Sequence, residues 1–209
     1  VCLCAANLTD PEIGPNKTEQ ADDNFDILLY QAATSNGTYT HGSLSFTPDW
    51  SWIKNRDNTE RHFMTDVLRG NVSITDKYII PNSTAIEGAN STSGTTFSVT
   101  SSGYQFTESS IDSDELYYNN RLYVGWNWKA GGTGVSNGNG STTSTVSANT
   151  DAGFSIVSYT GTGSNATIGH GLSSAPEVIF IKDRDTTSNW LVYHKFDGGT
   201  DGRSFLNLN

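Results

Sequence analysis

Apolar residues in this 209-residue chain recur at every second position over short runs, the spacing of side chains that share one face of a β-strand. Phe25-Asp26-Ile27-Leu28-Leu29-Tyr30 is β-prone and runs into the turn former Thr34-Ser35-Asn36-Gly37. Pro48 opens the next strand, where a missing amide is tolerated, and Trp50 and Trp52 then share a face. Arg61–Val67 reads as the return strand of a hairpin, and Phe97–Thr100 and Gly103–Thr107 as two further strands. Leu122, Val124, Trp126 and Trp128 alternate onto one side of another. Residues 131–150 read as a Gly/Ser/Thr-rich linker in which TTSTVS is β-prone enough for one short strand. In Glu177–Lys182 every intervening residue is apolar, which predicts a strand buried on both faces, and 189–195 reads as its return strand. No 3.6-residue period is sustained and no apolar run is long enough for a membrane-spanning helix.

Two stretches echo one another. Setting Pro48 against Pro176, an offset of 128, aligns Ile53-Lys54 with Ile181-Lys182, Arg56-Asp57 with Arg184-Asp185 and Thr59 with Thr187. Gly70 then meets Gly198, and with a one-residue slip Phe25–Phe46 matches Phe154–Ala175, so that His41 meets His170. The agreement reads as an internal repeat of about 130 residues. The expected organisation is a lead-in over 1–23, a first β-module over 24–150 and the first half of a second over 151–209. The fold expected is all-β, built of antiparallel β-sandwich (jelly-roll-like) modules.

Composition narrows the function classes. A formal net charge of −10 argues against nucleic acid, whose phosphates need clustered Lys and Arg, and agrees with a solvated exposed surface. Cys2 and Cys4 are too close in sequence for an unstrained bridge, and no His or further Cys stands near them to complete a metal site. Val-Cys-Leu-Cys-Ala-Ala could end a signal peptide, but the charged start and full apolar stretch are missing. Eight Asn-x-Ser/Thr sequons, at Asn7, Asn16, Asn36, Asn71, Asn82, Asn90, Asn139 and Asn165, are little above chance for so Asn-, Ser- and Thr-rich a chain, so glycosylation is permitted rather than signalled.

Of His41, His62, His170 and His194, the first and third share one repeat position, which favours a turn or hydrogen-bonding role over a general base. Asp112, Asp114 and Glu115 cluster with Ser and Ile in a stretch that lacks the EF-hand glycine, and like Asp183 and Asp185 they do not make an opposed carboxylate pair by adjacency alone. No nucleophile elbow, P-loop, zincin or dinucleotide motif occurs, so no catalytic residue, metal or cofactor is assigned. The repeated Pro48, Lys54, Arg56, Asp57 and Pro176, Lys182, Arg184, Asp185 read as structural, the charges fastening the loop after each strand through an Arg–Asp pair. Trp50, Trp126 and Trp190 are the candidates for stacking on a sugar, against the plainer role of filling a core.

The motif as a whole resembles a repeat of structural proteins from marine tailed bacteriophages. It is carried by Tyr30, Phe46, Pro48-Asp49, Trp52-Ile53-Lys54, Arg56, Asp66 and Arg69-Gly70, by Tyr123–Ser141, and most closely by Ala152–Asp185. Gln31-Ala32-Ala33 and Thr65–Leu68 depart from its usual wording without touching the strand pattern. The resemblance implies a non-enzymatic virion protein, extracellular on the particle as a tail fibre, appendage or capsid decoration. Its partners would be copies of itself in a homo-oligomer, other virion proteins and, in the alternative reading, host-surface glycans, with no nucleic acid and no membrane insertion. A glycosylated secreted filament is the third reading.

Overall fold

Period-two patterning becomes strands throughout the structure, a computed structural model that describes residues 20–70, 78–88, 95–109, 116–196 and 203–205. The first strands are β1 (Phe25–Gln31), β2 (Gly37–Gly42), β3 (Trp50–Asn55) and β4 (His62–Asp66). β5 (Thr95–Thr100), β6 (Gly103–Glu108), β7 (Leu122–Trp128), β8 (Val135–Asn137) and β9 (Ser144–Asn149) follow. The last are β10 (Phe154–Tyr159), β11 (Val178–Ile181), β12 (Leu191–His194) and β13 (Arg203–Phe205). The expected lead-in enters the described residues only as a short 3-10 turn, Ala21–Asp23.

Four sheets result, all antiparallel, in the orders β1-β7-β3-β4, β2-β6-β5, β8-β9-β10 and β11-β12-β13. In the first, alternation sends Leu28, Tyr30, Ile53, Phe63 and Tyr123 to one side, where they meet Phe97, Tyr104 and Phe106 of the second. Tyr78, Ile80, Leu116 and Tyr117 close the same cluster. Two facing sheets therefore share one dry core, rich in tyrosine and phenylalanine. Burial of these rings supplies most of the driving force, since each large side chain removed from water contributes about 1.5–3 kcal/mol.

Some polar groups are paired across that core. Asn127 is fully buried in β7, and its Oδ1 accepts from Ser51 Oγ at 2.9 Å and from the Tyr104 hydroxyl on the facing sheet. Gly125 lies against the same hydroxyl, where a Cβ would collide with it. Beside them, Asp49 Oδ2 accepts from the amides of Ala130 (2.8 Å) and Gly132 (3.2 Å), tying the start of β3 to the turn after β7.

Two expectations need correction. Residues 131–150 are not a linker: they hold β8 and β9, and Ser144 and Ser147 are buried because their hydroxyls donate to the carbonyls of Gly169 and Gly132. Strand β11 is not buried on both faces, for Val178, Ile179 and Ile181 are exposed. Its Phe180 alone turns inward, packing toward Met64, Ile79 and Trp190.

Candidate functional site

The outer face of β1-β7-β3-β4 carries four of the five tryptophans in cross-strand rows. Phe25, Trp128, Trp50 and Asp66 stand in one row, Ile27, Trp126, Trp52 and Met64 in the next, and Leu29, Val124, Lys54 and His62 in the third. The first row is roofed by Phe154 of β10, which stacks on Trp50 and Trp128 with ring centroids 5.7 and 6.1 Å apart. Met64 is covered by Trp190 and Ile79, with Trp50, Trp52 and Phe180 at the margin. Ile27, Leu29 and Leu122 stay exposed, beside a half-buried Trp126.

The three tryptophans singled out as sugar platforms thus differ. Trp50 is half-buried between Trp128 and Phe154, and Trp126 is half-buried with its edge to Trp52 at 6.1 Å. Trp190 lies in the core and its Nε1–H donates to the carbonyl of Ile80 at 3.0 Å, so it has no open face for a ligand. For Trp190 the plainer role of filling a core holds, against a segment distant in sequence.

The repeated charges do fasten loops, but not as Arg–Asp pairs. Lys54 Nζ donates to the carbonyls of Asn55 and Asn58, and Lys182 Nζ to that of Asp183 at 2.7 Å, with Ser188 Oγ and the Thr84 carbonyl further off. Partial burial holds both ammonium groups below the usual lysine range. Asp57 Oδ2 accepts from the amide of Leu122 at 2.7 Å, and among the described residues neither Arg56–Asp57 nor Arg184–Asp185 forms an ion pair. Arg184 instead meets Glu87 at 2.5 Å. Asp183 takes the role at its loop that Asn55 has at the first: its Oδ1 accepts from the amides of Asp185 and Thr186, as Asn55 Oδ1 does from Asp57 and Asn58. Those hydrogen bonds, from Thr186 Oγ1 first, lower the Asp183 pKa. Pro48 and Pro176 each stand two positions before the first residue of β3 and β11.

The histidines make local hydrogen bonds, the repeated pair His41 and His170 included. His41 Nε2 faces the Tyr117 hydroxyl at 2.8 Å and its ring packs on Tyr30. His62 Nδ1 accepts from Trp52 Nε1 at 2.9 Å, which requires a neutral imidazole. Burial lowers both histidine pKa values, with the Lys54 ammonium adding to the effect on His62, and burial pushes the Tyr117 phenol up to about 12. His170 Nδ1 accepts from the amide of Leu172. Asp112, Asp114 and Glu115, like Cys2, Cys4, Asn7, Asn16, Asn71 and Asn90, lie outside the described residues.

A groove of about 430 Å³ opens where Tyr159, Thr142 and Ile168 meet the loop carrying Gly161 and Asn165. Tyr159 presents a half-exposed ring to it. A second feature that local pattern did not announce is the 78–88 segment, which bridges two regions. Ile79 pairs with Met64, while Thr84 and Glu87 exchange backbone hydrogen bonds with Ser188 and Arg184. Arg69, buried, pairs with Asp66 at 2.6 Å and lies 3.9 Å from Glu87. No helix among the described residues is long and apolar enough to cross a membrane.

Comparison with known proteins adds one assignment. No curated protein and no solved structure matches the chain. Residues 20–209 match a family described as a domain of unknown function (DUF7483), and the chain belongs to that family.

Proposed function

We propose that the chain is a non-enzymatic structural protein of a particle surface, built from repeated β-sandwich modules of about 130 residues. The observation that carries this reading is the pair of hairpins β3–β4 and β11–β12. Their registers coincide under the 128-residue offset: Trp50↔Asp66, Trp52↔Met64 and Ile53↔Phe63 correspond to Val178↔His194, Phe180↔Val192 and Ile181↔Leu191. The Asx turns that leave β3 and β11 correspond in the same way. A catalytic site is needed once, whereas a stacking unit gains from repetition because each neighbour buries the next one's face. The motif resemblance supports placing such a unit on a tailed-phage particle, as a fibre, appendage or decoration assembling with its own copies. Immunogold or cryo-electron microscopy of particles carrying an epitope-tagged chain tests this: symmetric copies on tail or capsid are expected, and a monomer absent from particles overturns it.

A glycan-binding reading is favoured by one observation, the half-exposed Tyr159 ring lining a polar groove beside Asn165 and Thr142. Aromatic rings flanked by hydroxyls and amides stack on sugars. Under this reading Tyr159→Ala abolishes binding on a glycan array, and a wild-type chain silent on the array removes it.

A further inference from the structure

Three asparagines in the chain are followed directly by glycine: Asn36, Asn137 and Asn139. In such a pair no side chain shields the glycine amide nitrogen, which can reach the side-chain carbonyl carbon of the asparagine before it. The fold treats the three pairs differently. Asn36 Nδ2 donates to the Ser109 carbonyl at 3.1 Å, and Gly37 opens β2 in register with Glu108 of β6. Electrophile and nucleophile are both committed there, one to a loop and the other to a sheet. Asn137 is half-buried, and its Oδ1 accepts from the Asn139 amide at 2.8 Å. Gly169 lies so close to the Asn137 amide group that a Cβ would collide with it, which leaves no room for a tetrahedral carbon.

Asn139 is exposed, and among the described residues its side-chain amide has no hydrogen-bonding partner. Among the same residues the Gly140 N–H donates to no carbonyl. Both residues lie between β8 and β9, outside any strand. The attack turns about bonds of Asn139 itself, where neither a sheet ladder nor a packed amide resists it. Restraint begins just beyond. The amides of Ser141 and Thr167 each donate to the other's hydroxyl at 2.9 Å, and the Thr142 amide donates to the Thr167 carbonyl at 3.2 Å. Gly140 lies against that same carbonyl, where a Cβ would collide.

We infer that Asn139 is a self-modification site, converted to aspartate and isoaspartate by the Gly140 amide while the chain stays folded. Gly140 N gives up its proton and bonds to Asn139 Cγ; the Cγ–Nδ2 bond breaks, and ammonia leaves carrying a proton. Water then opens the five-membered imide. Cleavage of the new N–Cγ bond yields aspartate, and cleavage at the main-chain carbonyl yields isoaspartate, whose backbone runs through the β-carbon. The net change is water in and ammonia out. Either product adds a negative charge to a chain of net charge −10. Isoaspartate also lengthens the main chain by one carbon next to Gly140, which has no space to give against Thr167. The Ser141–Thr167 stitch therefore loosens as the chain ages, and with it Thr142 in the groove wall.

The test holds the 209-residue chain at mildly alkaline pH, folded in one arm and in urea in the other. Peptide mapping by mass spectrometry follows each asparagine, and an isoaspartyl methyltransferase labels the isoaspartate formed. In urea the three pairs should convert at similar rates, since each has glycine next. In the folded chain Asn139 should outpace Asn36 and Asn137 roughly tenfold, the factor that holding a reacting pair in other hydrogen bonds imposes. Asn36 or Asn137 converting first in the folded chain overturns the assignment. So do equal rates at all three, or an Asn139 that converts only in urea. Amide exchange at Ser141, Thr142 and Thr167 reads the consequence: protection should fall with age in the wild type and hold in Asn139→Gln. Equal loss in both chains refutes the loosening, whatever the mapping shows.

Discussion

Asn127 concentrates in one amide what the two facing sheets need from each other. Its Oδ1 serves Ser51 and Tyr104, and its Nδ2 donates to the Gly125 carbonyl at 3.0 Å. Asn127→Leu matches the volume but strands two buried hydroxyls, each costing about 1–3 kcal/mol. A loss of about 2–4 kcal/mol in urea-denaturation stability is expected, and a neutral result would show that Tyr104 finds another acceptor. A second residue-scale effect is pH-dependent. Because burial holds His41 and His62 below the ordinary histidine range, the unfolded chain takes up protons first as pH falls. Stability is therefore fully present above about pH 6.5 and declines below it, until the folded-state pKa values are passed. At His62 the incoming proton also removes the acceptor for Trp52 Nε1. His62→Gln should flatten the fall in stability between neutral and mildly acid pH, read from tryptophan-fluorescence unfolding curves; an unchanged slope assigns the effect elsewhere.

At the scale of elements, Asp49 shows how a single carboxylate sets where strands begin. Its backbone joins Trp128 and Val67, and its side chain caps the amides after β7. Asp49→Ala leaves two buried N–H groups without that acceptor, and a loss of about 2–4 kcal/mol by chemical denaturation is expected, with β7 amides exchanging faster. Local pattern announced the strands themselves: the alternation in Leu122–Trp128 and the paired Trp50 and Trp52 fix which side chains share a face, whatever lies beyond the strand. It also announced the two hairpins, since the echo between 46–59 and 174–187 is a matter of residue order alone. Burial was harder to read. The apolar run at Val178–Ile181 says what the strand could hide beneath a cover, and nothing about whether the cover is in place. Ser144 and Ser147 looked like linker because hydroxyls are polar, yet a hydroxyl with a carbonyl to bond is readily buried. Asp49, Asn127 and Glu87 were illegible for a related reason: their partners lie tens of residues away, and no period in the chain encodes that distance.

For the whole molecule, under the repeat proposed above, the question is what holds the second unit, β10 to β13, onto the first. Two candidates meet at the 78–88 segment. One is electrostatic, the Arg184–Glu87 pair backed by Arg69 and Asp66. The other is apolar, Trp190 set against Met64 and Ile79 with its indole N–H on Ile80. Magnitudes separate them. Arg184 is largely solvated, and an ion pair with one such partner contributes about 0–1 kcal/mol. A buried tryptophan truncated to alanine costs about 3–5 kcal/mol. Arg184→Ala should therefore leave the unfolding profile nearly unchanged. Trp190→Ala should split it, the second unit loosening first while the tyrosine-rich core persists. Hydrogen exchange locates the change: residues 182–194 lose protection in Trp190→Ala, whereas β6 and β7 keep theirs. If Arg184→Ala instead releases the second unit, the charge network is the fastening and the indole only fills space. The ordering matters for assembly. Under the proposed structural role, a module docked through an apolar anchor keeps its orientation across ionic strength, as a rod or shell of stacked β-units would require.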